Sequence, residues 1–165
     1  MQEPMPDTLV QAGLGTLAAA VRRRLKHVVG ARLQPYGLTI QQFWVILVLH
    51  EKGPASLHPL AQQVWMDDPT ASRVVKAMVE RGLLNTQPDP RHGRRILISL
   101  APAALPLAQE LQTLATGIKR DLVAGLDADQ QAALRAGLGT MIANLDAMAE
   151  AHRTFLSEGS AVAAS

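Results

Sequence analysis

Residues 56–100 read SLHPLAQQVWMDDPTASRVVKAMVERGLLNTQPDPRHGRRILISL, and this stretch decides the fold. Its first half holds two short segments split by Asp67-Asp68. Pro59 stands where a first helical residue would, followed by the apolar Leu60, Ala61 and Val64. Asp68 as N-cap and Pro69 at the first helical position open a second helix, which runs to Glu80 or Arg81 and stops at Gly82. The 3.6-residue period puts Ala71, Val74, Val75, Met78 and Val79 on a buried face. It leaves Thr70, Ser72, Arg73 and Lys76 on the other. Two apolar runs then follow, Leu83–Thr86 and Ile96–Leu100, around a Pro/Asp/Gly-rich turn, which is the pattern of a β-hairpin with a basic tip. Short helix, turn and capped helix make a helix-turn-helix, and the hairpin makes it winged. In such an arrangement the second helix enters the major groove, which admits an α-helix and displays distinct base edges.

Working outward, residues 9–33 show apolar positions at Val10, Leu14, Leu17, Val21, Leu25 and Val28, the alternation of a long helix ended by Pro35 and Gly37. Thr39 with Gln42 is a capping box opening a helix over 40–51 that is apolar nearly all round and belongs at the centre of the core. A further helix spans 102–124, with Leu105, Leu107, Leu111, Leu114, Ile118 and Leu122 inside and Pro106 in its first turns. A last helix begins at Asp127, capped with Gln130, and carries Leu134, Leu138, Met141, Ile142, Leu145 and Met148. The expected fold is mainly α with a small β-hairpin wing. It is a single domain over 1–165. Residues 38–100 form the winged helix-turn-helix lobe, 9–34 and 102–157 are dimerisation helices, and 158–165 are a frayed tail. The first helix is too long and apolar for one small lobe to cover, so a homodimer is expected.

Composition agrees. The 165 residues are 48% apolar but only 3% aromatic, a mix that favours helices. The absence of cysteine excludes disulfide scaffolds, thiolate metal sites, cysteine nucleophiles and thiol redox sensing. The longest apolar run, Phe43–Leu49, is far too short for a membrane span, and the first ten residues lack a signal-peptide pattern. A cytoplasmic protein with no membrane partner is expected. Charge is uneven. Residues 21–33 carry five bases and no acid, and residues 69–100 carry six bases against two acids. The chain as a whole is only +2, so its remainder is acidic. Two basic zones on an acidic body call for an anionic partner.

The stretch from Leu38 to Leu100 resembles the MarR-type winged-helix transcriptional regulators. Asp89-Pro90-Arg91-His92-Gly93-Arg94-Arg95 is similar to their wing signature, with Asp, Arg and Arg at the first, third and sixth places. Arg81-Gly82-Leu83-Leu84 sits where that family turns from recognition helix into hairpin. The resemblance implies a ligand-responsive regulator, a repressor in the first instance, that binds palindromic double-stranded DNA as a homodimer through its terminal helices. DNA contacts then fall to Thr70, Ser72, Arg73 and Lys76 on the helix and to Arg91, His92, Arg94 and Arg95 on the wing. Three departures stand out: His92 replaces a common acid, Ala101 replaces the Thr that usually follows the second wing strand, and Asp67 and Asp68 flank the recognition helix, where outward negative charge would repel phosphate. The family's small anionic or aromatic ligands bind between the DNA-binding lobe and the dimer helices, which points to His27, Tyr36 and Trp44, near the basic run from Arg22. Tyr36, Phe43, Trp44 and Trp65 are otherwise expected in the core. The rival reading is a winged-helix module that binds protein; three arginines on the wing tip argue against it.

No catalytic constellation emerges. Gly13–Ala18 fits a dinucleotide fingerprint, but no strand precedes it and no βαβ unit surrounds it. His50-Glu51 begins like a zinc-protease helix, yet Pro54 stands where the second His is required. No catalytic residue, metal or cofactor is expected.

Overall fold

The computed structural model describes residues 12–90 and 92–162; the side chains of His92, Arg94 and residues 154–162 lie outside the described residues, as does Arg91. The elements are α1 (Leu14–Leu33), a 3₁₀ turn at Gln34–Tyr36, α2 (Ile40–Lys52), β1 (Ala55–Ser56), α3 (Leu57–Gln63), α4 (Asp68–Glu80), β2 (Leu84–Asp89), β3 (His92–Leu100), a second 3₁₀ turn at Pro102–Ala104, α5 (Leu105–Leu122) and α6 (Ala128–Val162). The chain divides into two compact units, with the boundary between Ile118 and Lys119.

The first unit is built around α2. The Thr39 hydroxyl accepts from Gln42 N–H at 3.2 Å, and the Gln42 side chain accepts from Thr39 N–H at 3.0 Å, so the expected capping box is closed. Phe43, Val45, Ile46, Leu47 and Leu49 are all buried, which takes up more than half the circumference of the helix and leaves Gln41 and Trp44 on its exposed side. Leu33 of α1, Leu60 of α3, Met78 of α4, Leu84 of β2, Ile98 of β3 and Leu111 of α5 close around them. Each such side chain contributes about 1.5–3 kcal/mol by leaving water.

The sheet has three antiparallel strands in the order β1-β3-β2. β1 has only two residues, pairing Ala55 with Ile98 and Ser56 with Leu97, and gives no periodicity for sequence reading to find. The hairpin strands reach further into the tip than their apolar runs, down to an Asp89–His92 pair. The register slips between Pro88, paired with Ile96, and Asp89. Pro88 has no N–H to give the ladder, so the slip falls where pairing is weakest.

Several expectations need correction. The N-cap of α4 is Asp67, not Asp68, which is already helical. Pro69 therefore sits second, where its missing N–H is still one of the unpaired first-turn donors. The long α5 begins after a 3₁₀ turn, and its buried face is Ala108, Leu111, Ala115 and Ile118; Leu105 and Leu122 are exposed. On α1 the covered side is Leu25, Val29 and Leu33, whereas Leu14, Val21 and Val28, spaced seven apart, stay exposed. The aromatic expectation holds for Phe43 alone, which is fully buried, while Tyr36 is half-buried. Trp44 is 39% exposed, with its ring 5.1 Å from that of Phe43. Trp65 is 86% exposed.

In the second unit, Asp127 and Gln130 form the second capping box, with reciprocal bonds of 2.8 and 3.0 Å. The backbone of α6 stays helical to Val162, so residues 158–162, expected as a tail, continue the helix. Leu134, Leu138, Ile142, Leu145 and Met148 form an exposed apolar stripe along it. Among the described residues no helix is long and apolar enough to cross a membrane.

Candidate nucleic-acid interface

The helix-turn-helix is α3, the turn 64–67 and α4. The two aspartates at the head of α4 decide how this turn is charged. Asp67 accepts from Thr70 N–H at 2.7 Å, and its carboxyl is held below the ordinary range, first by the Thr70 side chain, then by that N–H, with a smaller contribution from the Arg73 charge. Asp68 faces His58 across the turn, with Nδ1 at 3.0 and 3.1 Å from its two oxygens. Gln62 Nε2 lies 3.0 Å from His58 Nε2, which assigns the imidazole proton to Nδ1. Both acids beside the helix are thus engaged: one caps, the other pairs with His58.

Beyond this capped end α4 buries Ala71, Val75 and Met78 and exposes Ser72, Arg73 and Lys76. Thr70 is half-buried, and its hydroxyl accepts from Arg73 Nη2 at 3.3 Å, which steers the guanidinium toward the leading end. The four helix residues named from sequence therefore share one side of the element. At the far end Arg81 donates through Nη1 to the Gly37 carbonyl at 3.0 Å and to Gln42 Oε1 at 3.3 Å. Sequence reasoning missed this strut. It ties α4 to the α1–α2 junction across more than forty residues of chain, a separation no local pattern reveals.

On the wing, Gly93, Arg94 and Arg95 lie in the irregular part of β3 opposite the Pro88–Asp89 slip, and Arg95 is exposed. Arg91 and the side chains of His92 and Arg94 fall outside the described residues.

Of the ligand candidates, His27 lines an open hollow. This open hollow of about 560 Å³ is bounded by Arg23, Lys26, His27, Gly30, Ala31, Gln34 and Ile40. Tyr36 and Trp44 are not part of its lining. Arg23 and Lys26 belong to the basic run from Arg22 noted in the sequence, whereas Gln34 and Ile40 join the lining with no sequence signal.

The sequence profile of the MarR family matches residues 36–95. A probable transcriptional regulator from Pseudomonas aeruginosa is 30% identical, and the alignment covers 80% of this chain and 98% of that one with a TM-score of 0.66. The chain belongs to the MarR family. It is a transcriptional regulator with a winged helix-turn-helix fold, not an enzyme. Two further structures share the fold. BpsR of Bordetella bronchiseptica, whose DNA binding is regulated by 6-hydroxynicotinic acid, is 24% identical over 84% of this chain and 97% of its own, with a TM-score of 0.70. A MarR mutant from E. coli in complex with operator DNA is 22% identical over 78% and 92%, with a TM-score of 0.69.

Proposed function

We propose that this MarR-family chain is a homodimeric repressor that binds palindromic duplex DNA and is released by a small anionic ligand. The observation that carries the reading is the exposed face of α4, where Ser72, Arg73 and Lys76 stand together beyond a capped helix start. Arg73 is the base reader, Thr70 and Ser72 assist it, and Lys76 contacts phosphate. Arg91, His92, Arg94 and Arg95 on the wing hold the flanking minor groove and backbone. The exposed stripe on α6 supports the dimer. Two-fold symmetry then sets the half-sites about 10 base pairs apart, one helical turn. A dimer seated over a promoter excludes polymerase, hence repression in the cytoplasm.

Arg23, Lys26 and His27 around one hollow support the ligand class: a small carboxylate or phenolate. The test is a mobility shift on the DNA upstream of the protein's own coding region at two salt concentrations. Phosphate contacts require a steep loss of affinity with salt. Absence of a shift at low salt overturns the reading. Thermal melting with and without benzoate tests the ligand arm, because a ligand of the folded state raises its stability by mass action.

A further inference from the structure

Helices α3 and α4 end in the same backbone motif, but its left-handed position holds Trp65 in one and Gly82 in the other. At the end of α4, Gly82 N–H reaches the Val79 carbonyl and Leu83 N–H reaches the Met78 carbonyl, both at 2.9 Å. At the end of α3, Trp65 N–H reaches the Gln62 carbonyl at 3.3 Å and Met66 N–H reaches the Ala61 carbonyl at 3.0 Å. Both are Schellman motifs, whose C′ residue takes left-handed dihedrals and favours glycine. Gly82 has φ +69 and Trp65 has φ +57. Among the described residues every other positive φ belongs to a glycine. The chain thus carries its most exposed tryptophan at a position where a side chain is strained, and gains no burial by it. Strain kept at such a place points to a contact made outside the chain.

The position says which contact. Trp65 stands two residues before the Asp67 cap, on the turn that delivers α4. Its nearest exposed neighbours in sequence are Gln62, Gln63, Asp67, Asp68 and Pro69, four of them polar. That flanking sequence is unlike the centre of an apolar patch of the kind a protein partner covers. Indole is a neutral ring with one N–H donor and no acceptor, which suits a phosphate oxygen and the sugar beside it. Helix N-terminal residues reach base edges, and the turn ahead of them lies at the margin of the groove, where the backbone runs.

We propose that Trp65 is a DNA-backbone contact, donating Nε1–H to a phosphate at the groove edge while its ring covers the adjoining deoxyribose. This rests on the reading of α4 as the recognition helix. The contact carries no base information and no charge, which sets it apart from every arginine and lysine of the interface.

The experiment compares wild type, Trp65→Gly and Trp65→Phe in thermal melting and in binding to operator and scrambled duplexes over a salt series. Trp65→Gly should melt above wild type yet bind both duplexes about tenfold more weakly, the weight of one hydrogen bond to an ionised group. Its salt slope should match that of wild type, because no counterion-releasing charge is lost. Trp65→Phe should keep part of the affinity. In Trp44→Phe, where Trp65 is the sole indole, duplex DNA should shield the emission from acrylamide. Wild-type affinity in Trp65→Gly, or unchanged acrylamide access with DNA bound, overturns the proposal while leaving the function reading intact. Shielding that rises with protein concentration alone, without DNA, would assign the indole to a second copy and also overturn it. Failure of wild type to bind any duplex overturns the function reading itself.

Discussion

A glutamate at Leu138 should split the dimer. Leu134, Leu138, Ile142 and Leu145 run along one side of α6 and retain between 41% (Leu138) and 60% (Leu145) of their surface exposed. Full burial of such a side chain is worth about 1.5–3 kcal/mol, so covering the remaining half gives about 1 kcal/mol each. Four per protomer, in two protomers, give on the order of 8 kcal/mol, to set against roughly 4–15 kcal/mol for lost freedom on association. With so narrow a margin, one change at the stripe is decisive. Leu138→Glu removes about 1 kcal/mol of apolar burial from each protomer and adds a desolvation cost of several kcal/mol for each buried carboxylate. The dimer dissociation constant should rise by more than about a hundredfold, and operator affinity should fall with it. Ala143→Glu, about 140° round the same helix, is the control that keeps the charge and moves it off the stripe. Sedimentation equilibrium across the micromolar range reads the outcome. A Leu138→Glu protein that sediments as the same dimer as wild type would refute the stripe as the interface. A wild-type monomer would refute the dimer.

Three further outcomes follow from the site. Asp67 caps α4 with a lowered carboxyl pKa, so its stabilisation is fully present above the ordinary value of 3.8 and fades as pH falls through the lower folded value. Asp67→Asn should keep the cap at neutral pH and flatten that acid limb, and Asp67→Ala should lose the cap at all pH; circular dichroism melts from pH 2 to 7 check both. Arg81→Ala removes two charge-assisted hydrogen bonds, to Gly37 and Gln42, and should cost about 1.5–3 kcal/mol in urea unfolding; wild-type stability would show that the strut carries no weight. Arg95→Ala on the wing should weaken operator and random DNA alike and lower the salt slope by about 1, read from a salt series of binding curves.

What the sequence revealed, and what it hid, follows the range of the interactions. Local signals were legible. Thr39/Gln42 and Asp127/Gln130 are capping boxes read directly from spacing, and Gly82 ends α4 because its φ is left-handed. The central place of α2 in the core follows from its apolar run, although Trp44 stays exposed. The exposed polar side of α4 was legible because one period separates it from the buried side formed by Ala71, Val75 and Met78. Contacts distant in sequence were not. The two-residue β1 exists only through its pairing to β3, and the Arg81 strut spans the first unit. A one-residue shift of the cap from Asp68 to Asp67 is below what adjacent identical residues can distinguish. Trp65 was misplaced because composition treats an aromatic as core, whereas the Schellman turn that expels it is set by backbone geometry at the end of α3. The basic hollow was half-legible: the charge run was visible, but Gln34 and Ile40 join it only after the chain turns at Pro35.

The most direct test of the account is the sequence specificity of Arg73. Fluorescence anisotropy would follow wild type and Arg73→Ala on the operator and on a scrambled duplex of equal length, at fixed salt. A base contact is worth about 1–3 kcal/mol of discrimination, so Arg73→Ala should lose roughly five- to a hundredfold on the operator and little on the scrambled duplex. Equal losses on both duplexes, or none on either, would contradict the assignment of α4 as the element that reads DNA.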